Sequence, residues 1–221
     1  MVELRVAEGQ DGAMARRFRS LTAEATEELG RVLGELAWGG LVLTLDGDLG
    51  AGKTTFVRGF ARGLGIEDGV ASPTYTLMQQ HDGGRLPLFH FDAWMEGREK
   101  ALLADGADEF LGDDGVSVVE WAGRIEGWLP SPRLAIQLRH DTPQTRWVSL
   151  SRTGEATPSS AQGVVSGGAE GPHGGLGARI DALIEALRPS DELIEEAAGG
   201  GAARVSEEGG EPGSLPGVEG P

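Results

Sequence analysis

The chain contains no cysteine. A disulfide framework and a thiolate metal site are therefore excluded. It also contains no asparagine and no Asp-x-x-Gly spacing. The Asn-Lys-x-Asp motif of guanine recognition cannot be built, which argues against a Ras-like GTPase and makes adenine the expected base. No apolar run approaches the ~20 residues of a membrane-spanning helix, and the mixed, acidic stretch Met1–Gln10 does not read as a signal peptide. No membrane association is expected, and a cytoplasmic protein is. Positive charge is scarce as well. There are 19 Lys and Arg against 35 Asp and Glu, a formal net charge of −16. Such a surface repels a phosphate backbone, so direct nucleic-acid binding is disfavoured and a protein partner fits better.

Lysine is the rarest cation. The two lysines are Lys53 and Lys100, against seventeen arginines. Lys53 lies in Gly47-Asp48-Leu49-Gly50-Ala51-Gly52-Lys53-Thr54, which has the G-x-x-x-x-G-K-T spacing of a phosphate-binding loop. Leu41–Leu45 before it reads as a buried strand. Thr54–Leu64 after it carries Phe56, Val57, Phe60, Ala61 and Leu64 on one helical face, with Gly65 as a stop. Glycines let the backbone turn its N–H groups toward a triphosphate, and the helix N-terminus adds open donors and its dipole. Gly47, Asp48, Gly50, Ala51, Gly52, Lys53, Thr54 and Thr55 are the expected phosphate-binding residues. Within them Lys53 reaches the β/γ-phosphates and Thr54 offers a hydroxyl to Mg²⁺.

Around this unit the pattern reads as an α/β fold, a P-loop NTPase-like sheet with flanking helices in a single domain plus a disordered tail. Residues 1–15 are assigned to an N-terminal extension, because Met14 opens a second start-like stretch. Residues 16–150 form the P-loop domain. A strand is expected at Phe18–Leu21, then a helix capped by Thr22 with Ala25, Leu29, Val32, Leu33 and Leu36 on its apolar face. Ala71–Met78 suits a strand after Pro73, and Asp82-Gly83-Gly84 suits a hairpin turn to Leu86–Phe91. An irregular helix is expected over 97–111. Val116–Val119 reads as a buried strand, followed by a short helical stretch to Trp128. Leu134–Leu138 and Arg146–Leu150 read as an antiparallel pair. Residues 151–221 have no Phe, Trp or Tyr and hold 16 of the 37 glycines and 6 of the 11 prolines. This acidic tail is expected to be mostly disordered. Ile180, Leu183, Ile184 and Leu187 share a face over 178–188, read as a helix that docks on its own domain, with a partner-binding helix or an unstructured stretch as the alternatives.

Hydrolysis needs more than the loop: an acid at the end of a neighbouring strand must hold Mg²⁺ or its waters. Asp92 and Glu120 each directly follow an apolar strand, at the edge where ligands of open α/β sheets bind; a solvated acid or a helix cap is the alternative for each. Thr74 is either a switch threonine that senses the γ-phosphate or an ordinary strand-entry residue. His90 is either a core histidine or a base. Trp121 either stacks on a nucleotide base or packs under the sheet. Arg58, Arg62, Arg124 and Arg146 are all open to phosphate contact, and no arginine finger can be picked out among them.

Taken together, Gly-Asp-Leu-Gly-Ala-Gly-Lys-Thr-Thr (47–55), Ser-Pro-Thr-Tyr-Thr-Leu (72–77), His-Phe-Asp (90–92) and Glu-Trp (120–121) resemble the TsaE (YjeE) family over about residues 16–150. That family is the small bacterial ATPase of tRNA threonylcarbamoyladenosine biosynthesis. The resemblance implies ATP and Mg²⁺. It also implies TsaD-like and TsaB-like partners, which transfer threonylcarbamoyl to adenosine 37 of ANN-decoding tRNAs and contact the tRNA themselves. ATP hydrolysis that is weak without partners and resets the complex is implied as well. By position, Lys53 and Thr54 bind phosphate and Mg²⁺, Glu120 is the second Mg²⁺ ligand, Asp92 supports hydrolysis, and Thr22 and Arg146 lie near the nucleotide. Two departures stand out. Asp92 is followed by Ala93-Trp94-Met95 where the family usually has an aromatic and then arginine, leaving Arg98 as the nearest substitute. Ala122 stands where Pro commonly follows Glu-Trp. The rival readings are a P-loop small-molecule kinase, which would need an acceptor site and an arginine-rich lid, and a nucleotide-dependent binding module without catalysis.

Overall fold

The computed structural model describes residues 7–8, 14–67, 69–95, 97–98, 110–112, 114–154, 175–190 and 192–195. In chain order these form β1 (Ala7–Glu8), β2 (Met14–Ser20), α1 (Ala23–Leu36), β3 (Val42–Asp46), α2 (Lys53–Gly63), β4 (Met78–His81), β5 (Leu88–Asp92) and β6 (Val116–Glu120). A 3-10 segment (Ala122–Trp128), β7 (Arg133–His140), β8 (Arg146–Thr153), α3 (Leu176–Ala186) and β9 (Leu193–Glu195) follow. The strands join one mixed sheet in the order β1-β2-β8-β7-β3-β6-β5-β4, with β9 also paired to β2. The centre is parallel: β3 lies between β6 and β7, and β6 pairs with β5. The flanking pairs β7–β8, β2–β8 and β4–β5 are antiparallel. This is the α/β sheet with flanking helices that the pattern predicts.

Strand alternation sorts the core into two layers. Leu88, Val116 and Val118 join Leu43, Leu45, Phe56, Phe60 and Leu33 in the larger cluster, which the helices cover. Phe89, Phe91 and Val119 point the other way, onto Leu77, Ala122, Ile125 and Leu129. The Thr22 cap forms as expected, its hydroxyl accepting from Ala25 N at 3.0 Å.

Two expectations change. The strand predicted across Ala71–Met78 begins only at Met78; Thr74–Thr76 is a turn, closed by Leu77 N donating to Pro73 O at 2.6 Å. Leu77 takes a φ of 65°, which a continuing strand could not accommodate. The cause is tertiary: the hydroxyls of Ser72 and Thr74 both reach Asp92, folding the segment back onto the site. The strand expected at Phe18–Leu21 is β2, which starts earlier and covers Met14–Ser20. The helix expected over 97–111 falls mainly outside the described residues.

The sheet also runs past both ends of the 16–150 unit. β8 continues to Thr153, β1 pairs Ala7 with Ala15, and α3 and β9 pack on β2. The helix expected at 178–188 lies at Leu176–Ala186, with Ile180, Leu183 and Ile184 buried. Arg16 ties this segment down. Its guanidinium donates to both Glu195 carboxylate oxygens at 2.6 Å and to the Ile184 and Leu187 carbonyls at 3.0 and 2.7 Å. It thereby satisfies carbonyls left open at the end of α3.

α1 and α2 cross at very close range. Gly30 and Gly34 on one helix face Gly59 and Gly63 on the other. A Cβ at Gly59 would meet Glu27 O at 1.8 Å, and one at Gly30 would meet Phe56 O at 2.2 Å. On an open helix surface Gly→Ala would stabilise by about 1 kcal/mol. Here the backbones block it, and overpacking costs about 1–3 kcal/mol or more. Gly59→Ala is expected to lower the urea unfolding free energy by about 2 kcal/mol. Gly127→Ala, at a site where a Cβ meets nothing within 4 Å, should leave the midpoint nearly unchanged.

Candidate functional site

The loop between β3 and α2 takes the conformation its glycines permit. Gly47, Gly50 and Gly52 have φ of 148°, 74° and 103°. A Cβ at Gly47 would also strike Leu138 O at 2.2 Å. Gly52 caps α2 without any side-chain bond, so donors of the first turn are not consumed by a capping side chain. Lys53 is buried. Its ammonium donates to the carbonyls of Gly47 and Asp48 at 2.7 and 3.0 Å and lies 3.6 Å from the centroid of the Trp121 ring. Burial pulls the Lys53 pKa below the ordinary lysine range, while Glu120, Asp92, Asp46 and Asp48 pull it back up.

The acids come from strand ends. Parallel register pairs Asp92 with Glu120 and Glu120 with Leu45, one residue before Asp46. All three carboxylates therefore sit at the carboxyl edge of the sheet, where the loop begins. Glu120 is 2% exposed. The Thr54 hydroxyl donates to its Oε1 at 3.1 Å, and His90 Nε2 lies 3.0 Å from the same oxygen. Asp92 is equally buried. Its Oδ2 accepts from Thr74 at 2.8 Å and from Ser72, and its Oδ1 accepts from Trp94 N at 2.8 Å.

Two cavities flank the glycine loop and share Gly50, Gly52 and Thr55. One, of about 340 Å³, is lined by Lys53, Thr54, Ser72, Thr74, Asp92, Trp94, Glu120 and Trp121. The other, of about 400 Å³, is lined by Leu21, Thr22, Ala51, Thr55, Pro143, Gln144 and Arg146. The expected residues thus divide. Lys53, Thr54, Thr74, Asp92, Glu120 and Trp121 gather on one side of the loop, and Thr22 and Arg146 lie on the other. Trp121 packs against the Phe89–Phe91–Val119 cluster under the sheet and lines the cavity of Lys53 and Glu120 rather than that of Thr22 and Arg146. It holds a left-handed φ of 60°, lies over Lys53 and stacks on Trp94 at 4.4 Å. Arg146 is engaged with carbonyls, donating to Ala51 O at 3.2 Å and Thr145 O at 2.9 Å. It fastens the β7–β8 turn to the loop. Arg98 donates to Tyr75 O at 3.2 Å, beside the Ser72–Thr74 turn.

Sequence reasoning missed Asp46 and Ser72. Asp46 accepts from Gly123 N at 3.0 Å and follows an apolar strand just as Asp92 and Glu120 do, so the same signal was present. Ser72 carries no signal of its own until the turn brings it to Asp92.

A glycine loop at the end of a parallel strand, its lysine and threonine facing an acid on the adjacent strand, defines a P-loop α/β protein. Its particular kind follows from comparison. The model of a family described as threonylcarbamoyl adenosine biosynthesis protein TsaE matches residues 20–148, and the chain belongs to the TsaE family. The Bacillus subtilis (strain 168) tRNA threonylcarbamoyladenosine biosynthesis protein TsaE is 42% identical over 139 residues, 62% of this chain and 86% of that one. The protein of the same name from Treponema pallidum is 41% identical over 123 residues, 56% and 90% of the two chains. That from Streptomyces coelicolor is 35% identical over 154 residues, 63% and 99%. The crystal structure of Bacillus subtilis YdiB superposes with a TM-score of 0.56 at 37% identity, covering 64% of this chain and 88% of that one.

One titrating group beside the site bears on stability. His81 is buried, and burial together with the neighbouring His90 lowers its pKa below the ordinary histidine value of 6.5. The folded protein therefore holds His81 neutral, and the unfolded chain binds its proton first. That contribution to stability is complete above about pH 6.5 and falls as pH drops below it. Urea titrations at pH 7.5 and 5.0 should show a smaller loss of stability for His81→Gln than for the parent protein.

Proposed function

We propose that this chain is the ATP-binding and ATP-hydrolysing subunit required for threonylcarbamoylation of adenosine 37 in ANN-decoding tRNAs. In this reading it works in the cytoplasm on a complex of TsaD-like and TsaB-like proteins. The observation that carries the proposal is the facing of Thr54 and Glu120 at 3.1 Å, with Asp92 in register beside them. Family membership and the tRNA-modifying names of its relatives support the pathway.

The donor set fits a magnesium ion. A hydroxyl and a carboxylate are hard oxygen ligands, and the acids around Lys53 leave the cleft too negative to welcome a triphosphate alone. Thr54 and Glu120 would hold the ion, which would supply positive charge against that of the phosphates. The protein's own groups do the rest. Loop N–H groups cradle the phosphates. Lys53 leaves the Gly47 and Asp48 carbonyls and the Trp121 ring to meet them. Thr74 must release Asp92 to reach a γ-phosphate, so nucleotide binding and the Ser72–Thr74 turn are coupled. The base and ribose would enter the cavity of Thr22 and Arg146, with adenine expected because no guanine motif exists.

A protein partner is supported by the rim. Leu49 and Trp94 line the phosphate cleft and are 77% and 38% exposed, and Tyr75, next to Thr74 of the lining, is 83% exposed. The net charge of −16 argues that the partners, rather than this chain, hold the tRNA.

Turnover measured alone and with the partner pair tests the reading. Slow ATP hydrolysis that the pair accelerates is expected. Lys53→Ala should abolish ATP binding. Asp92→Ala and Glu120→Ala should each cut stimulated turnover by about a hundredfold or more. Fast turnover alone on a small acceptor would instead identify a kinase.

A further inference from the structure

His90 occupies a place where an aliphatic side chain would be expected. On β5 it sits between Leu88 and Asp92 on the helix-covered face, opposite Val118 of β6, and it is fully buried. Its Nε2 lies 3.0 Å from Glu120 Oε1. Its Nδ1 meets no hydrogen-bond partner among the described residues. A histidine kept for packing or for tying down backbone would be expected to use that second nitrogen. Among the described residues, Glu120 is the one hydrogen-bond partner of the imidazole.

The chemistry fixes the tautomer. A carboxylate accepts, so Nε2 carries the hydrogen and Nδ1 the lone pair. A buried lone pair without a donor is tolerated better than a buried N–H without an acceptor. The bond also anchors the carboxylate. Oε1 accepts from both His90 and Thr54, at 3.0 and 3.1 Å, and Oε2 lies 3.3 Å from the same Thr54 hydroxyl, so the imidazole fixes which way the group is turned toward Thr54.

We propose that His90 is a positioning residue that sets the orientation of the Glu120 carboxylate and so the affinity of the Thr54–Glu120 pair for a divalent cation. The proposal rests on the reading of that pair as a magnesium site. His90 touches no substrate in it; it acts through Glu120. Hydrogen-bond partners of metal-binding side chains commonly contribute ten- to a hundredfold in metal affinity, and His90 is expected to contribute at the lower end, about tenfold.

The test is binding of a fluorescent ATP analogue to the full chain, in EDTA and across a Mg²⁺ titration, for the parent protein, His90→Leu and His90→Gln. Leu fits the apolar face but removes the donor. Gln can return an N–H near the position of Nε2. The expected result is equal affinity for all three in EDTA, with half-saturating Mg²⁺ raised about tenfold in His90→Leu and largely restored in His90→Gln. Thermal melts in EDTA report the fold of each variant. Unchanged Mg²⁺ dependence in a folded His90→Leu overturns the proposal. So does a loss of binding in EDTA, or of folding, shared by both variants, since that marks a structural histidine. If the parent protein itself binds the analogue with no response to Mg²⁺, the magnesium reading fails as well, and the two failures are told apart.

Discussion

The parallel pairing of β3, β6 and β5 is the constraint on which the rest depends. Because these strands run the same way in one register, their last residues arrive at one edge together. Asp46, Glu120 and Asp92 become neighbours there, and the glycine loop leaves from the same place. The period of two does the sorting. His90 and Asp92 lie on the helix-covered face, and Phe89 and Phe91 lie on the other. A slip of one residue would put both phenylalanines into the cleft and both polar groups into apolar packing. The register that buries the core is therefore also the register that assembles the site.

The helices set the second coordinate. Glycines on both sides of the α1–α2 crossing let the two backbones nearly touch. Since α2 starts at the loop and α1 starts at Thr22, this approach brings the cap of one helix beside the phosphate end of the other. The cavity between them is a product of that spacing. A wider crossing would separate Thr22 and Leu21 from Gly50 and Thr55, and the loop would face solvent on that side. The Arg16 network adds to this from below. It fixes α3 and β9 against β2, and Leu21 N in turn donates to Glu192 O at 2.9 Å, bracing the strand that leads into α1.

Legibility in the sequence followed the range of the interactions. The P-loop unit, the Thr22 cap, the hairpin at Asp82–Gly84 and the strand ends at Asp92 and Glu120 all depend on near neighbours. Their signals are spacing, glycine and alternation, and they are found close to where the pattern places them. The turn at Thr74–Thr76 was not legible. Its Tyr and Thr content favours a strand, and the bonds to Asp92 that overrule this preference come from eighteen and twenty residues away. The apolar face of Ile180, Leu183, Ile184 and Leu187 made a docked α3 legible, but β9 and the anchoring of both elements were hidden for the same reason. The glycine- and proline-rich composition after residue 150 is a local signal, whereas Arg16, which reaches Glu195 across 179 positions, is not. The reciprocal glycines of α1 and α2 look in sequence like weak helix positions, and only the crossing gives them meaning. Trp121 could not be placed because its left-handed backbone decides where the ring goes, and nothing adjacent demands that conformation.

The arrangement around Lys53 bears on how such a site can work. The side chains that would meet a nucleotide already have partners within the protein. Lys53 has two loop carbonyls and an aromatic face, Thr54 has Glu120, and Thr74 has Asp92. Binding exchanges these contacts for contacts of similar kind, so the net gain per contact is small. The exchange must also be concerted, because Lys53 cannot leave Trp121 without uncovering a ring that Trp94 and Arg124 also stack against. A site that satisfies itself when empty has little drive to close unaided. Contacts made by a partner on Leu49, Tyr75 and Trp94 would add free energy at the rim, where the exchange begins. Under the proposed function, that is the physical ground on which turnover would depend on assembly rather than on the chain alone.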